Sequence, residues 1–365
     1  NQGHDYKYKH VIIIGVDGAG NFHKLCNTPN MDKIFSSGAK TDYCKASLPT
    51  MSAECWGSMF TGVNPKIHGL NNDIIEKNSY TNSDYPTFFK YVRNAHPNAK
   101  IGAFCNWAPI FTGIIENDIK VKTEKGSDGV LTKKIINYIK EDKPELLFIQ
   151  FDSVDEEGHS VGYCSDRYLK ALEQVDKYIG DIYKSIIDAG IMEDTLLIIT
   201  SDHGGIKNNH GGNTDNEKNT FFAAIGKTIN KTDNLISDVR DVAAIVTYAL
   251  GLKGNPKWDS YIPQNFFSDN MNPIERVVNR QNSQNNASTP ETEDINIFDF
   301  IDKNKLKIGL LFDQNFEDIN KNEIDIIGNV NIIDGQFGNC AYVSNKGYIS
   351  ILNIKFVKKN IKIFR

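Results

Sequence analysis

What this 365-residue chain lacks narrows it first. No apolar run approaches the ~18–20 residues that cross a bilayer; Phe221 to Ile225, one of the longer ones, is only strand-sized. Basic residues are not in excess: 41 Lys and Arg face 46 Asp and Glu, for a formal net charge of −5 and a pI near 5.9. That balance argues against a protein that works by coating nucleic-acid phosphates. It leaves room for a positive pocket supplied locally by metal ions. The six cysteines, Cys26, Cys44, Cys55, Cys105, Cys164 and Cys340, contain no CxxC pair, so no zinc ribbon or redox motif is present. They read mostly as small buried apolar residues, with one disulfide between early loops, such as Cys26 with Cys44, as the alternative. No internal repeat stands out, and the start at Asn1 settles nothing about a leader segment.

What is present is an alternation of strand-like and helix-like segments over the first two-thirds. Val11–Val16, Lys100–Cys105, Leu146–Phe151, Thr195–Thr200 and Phe221–Ile225 are continuous apolar runs of the kind that suit strands covered on both faces. Between them, apolar residues recur at helical spacing from Asp166 through Leu169, Leu172, Val175, Ile179, Ile182 and Ile186 to a stop at Gly190. A second helix is predicted from Val239 to Gly251. The pattern predicts an α/β sheet wound on both sides, with ligands gathered at the carboxyl ends of its strands. Residues 1–265 are expected to form this catalytic domain. Residues 266–300, rich in Asn, Gln, Ser, Thr and Glu from about Asn272 to Asn296, read as a polar linker. Residues 301–365 hold short strand-like runs split by Gly and Asn, as in part of an all-β module.

Asp17, Asp152, Asp155 and Asp202 all follow apolar runs directly or within a few residues, which packing alone does not explain. Asp155 and His159 stand four apart, a spacing that lets both face one ion. Asp202 and His203 are adjacent where the chain leaves a strand, and His210 is flanked by glycines. Carboxylate and imidazole together hold zinc-like divalent ions, and four such sites predict a pair of metals. Two ions ~3.5–4 Å apart clamp the attacking and leaving oxygens of phosphoryl transfer. A nucleophile belongs near them. In Leu48 to Gly62 a Pro-Thr opens a helix-like run, where a hydroxyl gains from the helix's positive end. Ser52 and Thr50 both qualify chemically; Thr50 is expected to cap the helix instead.

Taken in order, Gly15-Val16-Asp17-Gly18, Pro49-Thr50-Met51-Ser52, Thr61-Gly62, His68-Gly69, Asp155 to His159, Ser201 to Gly205 and His210-Gly211 resemble the alkaline phosphatase superfamily. The likeness is greatest to its type I phosphodiesterase/nucleotide pyrophosphatase branch and covers roughly residues 10–262. The resemblance implies an α/β/α sandwich with a mostly parallel sheet. It makes Ser52 the nucleophile, groups Asp17, Asp202 and His203 with Ser52 around one metal, and gives Asp155, His159 and His210 the other, usually zinc. It implies in-line attack by Ser52 on phosphorus, a covalent phosphoserine, and hydrolysis of that ester by water.

The chain departs from the pattern in places. Cys55 stands where the branch often has Asn, three residues after the nucleophile, and a thiol is a poor replacement donor. A phosphate-holding Asn after the His-Gly pair would be Asn71 or Asn72. No Arg lies near Ser52, which weakens the monophosphatase reading. Ser52-Ala53-Glu54-Cys55-Trp56 lacks the Pro and Arg of a sulfatase motif. His68 is expected to be structural, Asp152 to orient an imidazole or cap a turn, Glu156 and Glu157 to be solvated, and Trp56, Trp107 and Phe104 to pack in the core, with a pocket wall that stacks on a base or sugar as the alternative.

Asp334 to Val343 with Gly347-Tyr348-Ile349, and Phe312-Asp313 with Phe316-Glu317, resemble a partial laminin-G or concanavalin-like sandwich. Such modules imply carbohydrate binding and a secreted or cell-surface enzyme. The leading expectation is a two-zinc hydrolase of small-molecule or glycan-linked phosphate esters, of phosphodiester or nucleotide pyrophosphatase type. A phosphomonoesterase or phospho-group transferase of the same fold, a sulfatase-like enzyme, and a non-catalytic glycan-binding protein are the alternatives. A nucleic-acid polymer is not an expected partner.

Overall fold

The structure, a computed structural model, describes residues 7–233 and 235–268, and the backbone of 310–311, 317–318, 324–335 and 338–351. The chain divides into two compact units, Asn1–Thr289 and Pro290–Arg365. The first is built on a seven-stranded sheet. Its strands are β1 (His10–Val16), β2 (Ala39–Lys45), β3 (Ile101–Cys105), β4 (Lys122–Lys125), β5 (Leu146–Phe151), β6 (Thr195–Thr200) and β7 (Asn219–Ile225). They lie in the order β2-β7-β6-β1-β5-β3-β4. The block from β6 to β4 is parallel, whereas β7 runs antiparallel to both β6 and β2.

Helices α1 (Pro29–Ser36), α2 (Ser52–Thr61), α3 (Pro65–His68), α4 (Asn72–Lys77), α5 (Phe88–Ala95), α6 (Asp128–Asp142), α7 (Ser153–Val161), α8 (Asp166–Asp188), α9 (Asp215–Lys218) and α10 (Asp241–Ala249) connect the strands. One layer gathers α1, α6 and α7 around α8; α2, α5 and α10 pack together in another. Alternation along each strand divides the core between the layers. Val11, Ile13, Leu146, Phe148, Leu196 and Ile198 share one buried cluster with α2, α5 and α10. Their neighbours Ile12, Ile14, Leu147, Ile149, Leu197 and Ile199 are equally buried. Both faces are covered, so the central strands read as unbroken apolar runs.

The five predicted strands form. The two that were not predicted, β2 and β4, are the outermost strands of the sheet and carry the polar, only partly buried sequences AKTDYCK and KTEK; the segment from Thr232 to Val239 hydrogen-bonds along the outer side of β2. The long predicted helix is α8; the Ser165 hydroxyl accepts from the Tyr168 amide at its start, and Gly190 takes a φ of +71° just past its end. Tyr168, rather than Leu169, lies on its buried face. Phe266 and Phe267, at the start of the expected linker, are buried in the core of this unit; residues 269–300 lie outside the described ones.

In the second unit β8 (Leu310–Leu311) pairs with β9 (Glu317–Asp318), and β10 (Ile324–Gly335) with β11 (Gly338–Ile351), each antiparallel. The runs read separately as Ile324–Ile327 and Val330–Ile333 join into one strand across an irregularity between Ile327 and Asn329. Among the described residues this is two separate two-stranded sheets, so the resemblance to a lectin-like sandwich is not supported.

Phe148 is fully buried and meets Trp56, Phe60 and Phe89 edge-on at 5.3, 4.7 and 6.4 Å. Phe148→Ala is expected to lower the unfolding free energy by ~3–5 kcal/mol, read from urea titration. A loss below about 1 kcal/mol would contradict this packing.

Candidate metal centre

The three strands at the centre of the sheet, β6, β1 and β5, are adjacent and parallel, with Val16 opposite Phe151 and Gly15 opposite Thr200. Their carboxyl ends are therefore level. Asp17, Asp152 and Asp202 leave the sheet side by side, and α7 carries Asp155 and His159 back over them. Two glycines make the approach possible. An added Cβ on Gly18 (φ +66°) would lie 2.2 Å from Asp155 Oδ1, and one on Gly15 would lie 2.4 Å from the Trp56 ring. Trp56 needs that space because its Nε1 donates to Asp17 Oδ2 at 2.9 Å. Gln150 Nε2 donates to the same oxygen at 3.0 Å and to Asp152 Oδ1 at 2.9 Å. With Oδ2 held twice, Asp17 presents Oδ1 to the Ser52 hydroxyl at 3.2 Å and to His203 Nε2 at 3.4 Å.

The three histidines share one arrangement. His159, His203 and His210 turn Nδ1 to the backbone carbonyls of Asn208, Gly204 and Thr50 at 2.9, 2.7 and 2.6 Å. A carbonyl only accepts, so each Nδ1 carries the proton and each Nε2 faces the carboxylates, the tautomer of a metal-ligating histidine. His203 Nε2 lies 3.2 Å from Asp202 Oδ2 and 3.0 Å from Ser52 Oγ. His159 Nε2 lies 3.2 Å from Asp155 Oδ2, and His210 Nε2 is 3.9 Å from Asp155 Oδ1. The Tyr163 hydroxyl donates to Asp155 Oδ1 at 2.6 Å. Ligand atoms of Asp17, Asp202 and His203 lie within 4.8 Å of one another, as do those of Asp155, His203 and His210, and of Asp17, Asp152 and Asp155.

The charges show what the cluster requires. Asp17, Asp202 and His203 are completely buried. Two carboxylates ~4 Å apart repel by about 4 kcal/mol even at an effective dielectric of 20. Burial and then Asp17 push the Asp202 carboxyl well above its usual range. Burial would lower His203, but Asp202, Asp17 and Asp155 carry it up to about 10, so a proton supplies the missing positive charge. Asp155 is also penalised by burial, yet His159, His203 and His210 bring it below the usual carboxylate range. Burial and the charge on His203 lower His210 to about 4. The Nε2 atoms of His159 and His210 stand 3.1 Å apart, a contact tolerated only with a proton or another cation beside it. Asp202 Oδ2 is buried without a hydrogen bond. Carboxylates, converging imidazole lone pairs and this orphaned oxygen fit divalent metal ions.

All seven residues expected at the site converge. Other expectations need correction. Thr50 does not cap α2: Met51 holds the cap position, and the Thr50 hydroxyl bonds Gly211 and Gly212. Asp152 touches no imidazole among the described contacts; its side chain accepts from Gln150. Cys26 and Cys44 form no disulfide and are free. Cys55 points away from the site, its thiol donating to Ser47 O at 3.5 Å. Of the two asparagines, Asn71 caps α4, while Asn72 faces Ser52 across the pocket, its Oδ1 fixed by the Ala53 amide at 3.0 Å.

His68 is structural, as expected: it is buried against Ser58 and the Glu54 carbonyl, and burial lowers it to about 4. Glu157 pairs with Arg167 at 2.8 Å instead of standing alone in solvent. Trp56 and Phe104 are core residues, but Trp107 lines the pocket. That pocket encloses about 310 Å3 and also exposes Met51, Ser52 and Glu76. Sequence reasoning missed Gln150, although a lone amide in the run LLFIQF was a visible signal. It also missed Asp128, which accepts from the Asp152 and Ser153 amides at 3.0 and 3.2 Å and so fixes the start of α7.

A mostly parallel sheet with carboxylates and imidazoles over its central strand ends defines an alkaline phosphatase-like α/β protein. Solved structures agree at the level of fold. Murine ectonucleotide pyrophosphatase/phosphodiesterase 5 superposes with a TM-score of 0.58 at 16% identity, over 68% of this chain and 96% of that one. A 2-O GAG sulfatase superposes with a TM-score of 0.56 at 14% identity, over 68% and 72%. The family model described as type I phosphodiesterase / nucleotide pyrophosphatase matches residues 11–224, more than half of the chain, which belongs to that family. Ectonucleotide pyrophosphatase/phosphodiesterase family member 7 of Mus musculus is 23% identical over 223 residues, 53% of this chain and 49% of that protein. The chain spans about half or less of the length of the curated relatives it matches.

A metal ion bound at His203 Nε2 would displace the proton held there. Adding zinc to the metal-free protein at pH 8 is expected to release roughly one proton from this residue, and less as pH rises through 10. Calorimetry in buffers of different ionisation enthalpy measures it. No release at pH 8 would mean that His203 is not displaced.

Proposed function

We propose that the chain is a metal-dependent hydrolase of phosphodiesters or nucleotide pyrophosphates that works through a covalent phosphoserine on Ser52. The observation that carries this reading is the position of the Ser52 hydroxyl. It opens α2 and faces the pocket, 3.2 Å from Asp17 Oδ1 and 3.0 Å from His203 Nε2. Asp17, Asp202 and His203 with Ser52 would hold one divalent ion, and Asp155, His159 and His210 a second; the imidazole and carboxylate donors suit zinc. Bound there, such ions acidify a hydroxyl and stabilise charge on the oxygens of the reacting phosphate.

The residues of the chain supply the rest. The Ser52 hydroxyl, oriented by its hydrogen bond to Asp17 Oδ1, gives up its proton to solvent and its oxygen attacks phosphorus in line. The bond from Ser52 Oγ to phosphorus forms as the bond to the leaving oxygen breaks. Water then cleaves the phosphoserine and returns the Ser52 hydroxyl. With Oδ1 fixed by the Ala53 amide, Asn72 has its Nδ2 hydrogens left for a phosphate oxygen. The ten-residue helix α2 directs its positive end at the same place. Among the described residues no Lys or Arg lines the pocket, whereas Glu76 and Asp152 do. This balance favours the single negative charge of a diester over the dianion of a monoester. Trp107 and Met51 offer an apolar wall to the esterified group.

Residues 1–265 would form the catalytic part. The names of the relatives, which include ectonucleotide enzymes and venom phosphodiesterases, support action at or beyond the cell surface. Among the described residues no helix is long and apolar enough to cross a membrane. Small phosphate esters are the substrate class.

The zinc-loaded protein is expected to hydrolyse bis-nitrophenyl phosphate faster than nitrophenyl phosphate in a side-by-side rate assay. The reverse order would make it a monoesterase, and phosphoryl transfer to an added alcohol in preference to water a transferase. Ser52→Ala is expected to lower the rate on the order of 10³-fold or more while retaining both metals. Activity that survives this change would remove the phosphoserine step.

A further inference from the structure

Thr50 lies two residues ahead of Ser52 and is completely buried. Its hydroxyl donates to the Gly212 carbonyl at 2.8 Å and accepts from the Gly211 amide at 2.9 Å. Its own carbonyl accepts from His210 Nδ1 at 2.6 Å. Three hydrogen bonds thus run from one residue of the nucleophile segment to the three consecutive residues 210–212. Only a hydroxyl can donate to one of these backbone groups and accept from the other at the same atom. The loop approaches closely here. Gly211 has a φ of +115°, and an added Cβ would come within 3.0 Å of Met51 Sδ. Beyond the contact, Glu217 Oε1 accepts from the Gly212 amide at 2.8 Å, so the far side of the loop is anchored independently.

We propose that Thr50 is a positioning residue that latches the His210 loop onto the nucleophile segment and thereby sets where His210 Nε2 points. The bond from Nδ1 to the Thr50 carbonyl fixes the tautomer and the ring plane, and the two hydroxyl bonds hold the loop so that this bond persists. The consequence is a rigid distance between Ser52 and the set Asp155, His159 and His210. Asp17 and Asp202 are held by other contacts, from Trp56, Gln150 and Gly18, and His203, whose ring stacks on His210 at 3.7 Å, has its Nδ1 fixed by the Gly204 carbonyl. The inference rests on the reading that these sets bind metal.

The test compares Thr50→Val, which keeps shape and removes the hydroxyl, with Thr50→Ser, which keeps the hydroxyl. Zinc binding to the metal-free full chain is measured by chelator competition. Thr50→Val is expected to weaken one of two zinc equivalents ~10–100-fold and leave the other unchanged, with Thr50→Ser near the parent. On bis-nitrophenyl phosphate, Thr50→Val should lower kcat more than it raises KM. The proposal is overturned if Thr50→Val binds both equivalents normally, if both equivalents weaken together, or if Thr50→Ser falls as far as Thr50→Val. Amide hydrogen exchange at Gly211 in the unaltered protein gives a second reading that survives a variant that does not fold. Protection is expected there, and exchange at the rate of a solvated loop refutes the latch. An unaltered protein that takes up no zinc fails the metal reading, while Gly211 protection still judges the latch by itself.

Discussion

Buried like charge governs this structure. Asp17 and Asp202 sit without solvent at the ends of two neighbouring strands, with Asp155 folded over them. In an interior of low effective dielectric such a group is stable only if positive charge sits among the oxygens. Without a metal, a proton on His203 does this, which is why that imidazole rises to about 10 despite complete burial. Divalent ions would do it better, because they also use the lone pairs that three Nδ1-anchored imidazoles direct inward. The need for a cation and the means of activating a hydroxyl are then the same feature.

Rigidity around that charge comes from groups with no chemical role of their own. Asp17 is fixed by an indole and a carboxamide, Asp155 by a phenol, and the start of α7 by Asp128. Glycines at 15 and 18 remove the side chains that would keep these partners apart. Gln150 also ties the wall of the pocket to the site, since its Oε1 accepts from the Trp107 amide at 2.9 Å while its Nε2 holds Asp17. A substrate group resting on Trp107, as proposed, would thus be registered against the reacting atoms through a single side chain.

Much of the fold was legible because the central strands are buried on both faces and therefore apolar throughout. The outermost strands β2 and β4 were not, because only some of their side chains are buried and neither carries an unbroken apolar run. The C-terminal resemblance misled because short runs separated by Gly and Asn suit several all-β arrangements, and here they join into longer hairpin strands. Thr50 looked like a cap from its place before a helix. Its hydroxyl is instead drawn to a loop 162 residues away, a partner that no local pattern announces.

By itself the sequence determined the residue types of the site and their positions at strand ends, because a side chain just past a buried apolar strand must emerge at the rim of the sheet. It also determined which strands lie inside. Only the tertiary structure decided which oxygen of Asp17 is available, which nitrogen of each histidine faces inward, and that Asn72, not Asn71, reaches the pocket that Ser52 lines. Those choices depend on carbonyls, amides and an indole brought from distant segments, and hydrogen bonds between distant segments leave no periodicity in the chain that makes them.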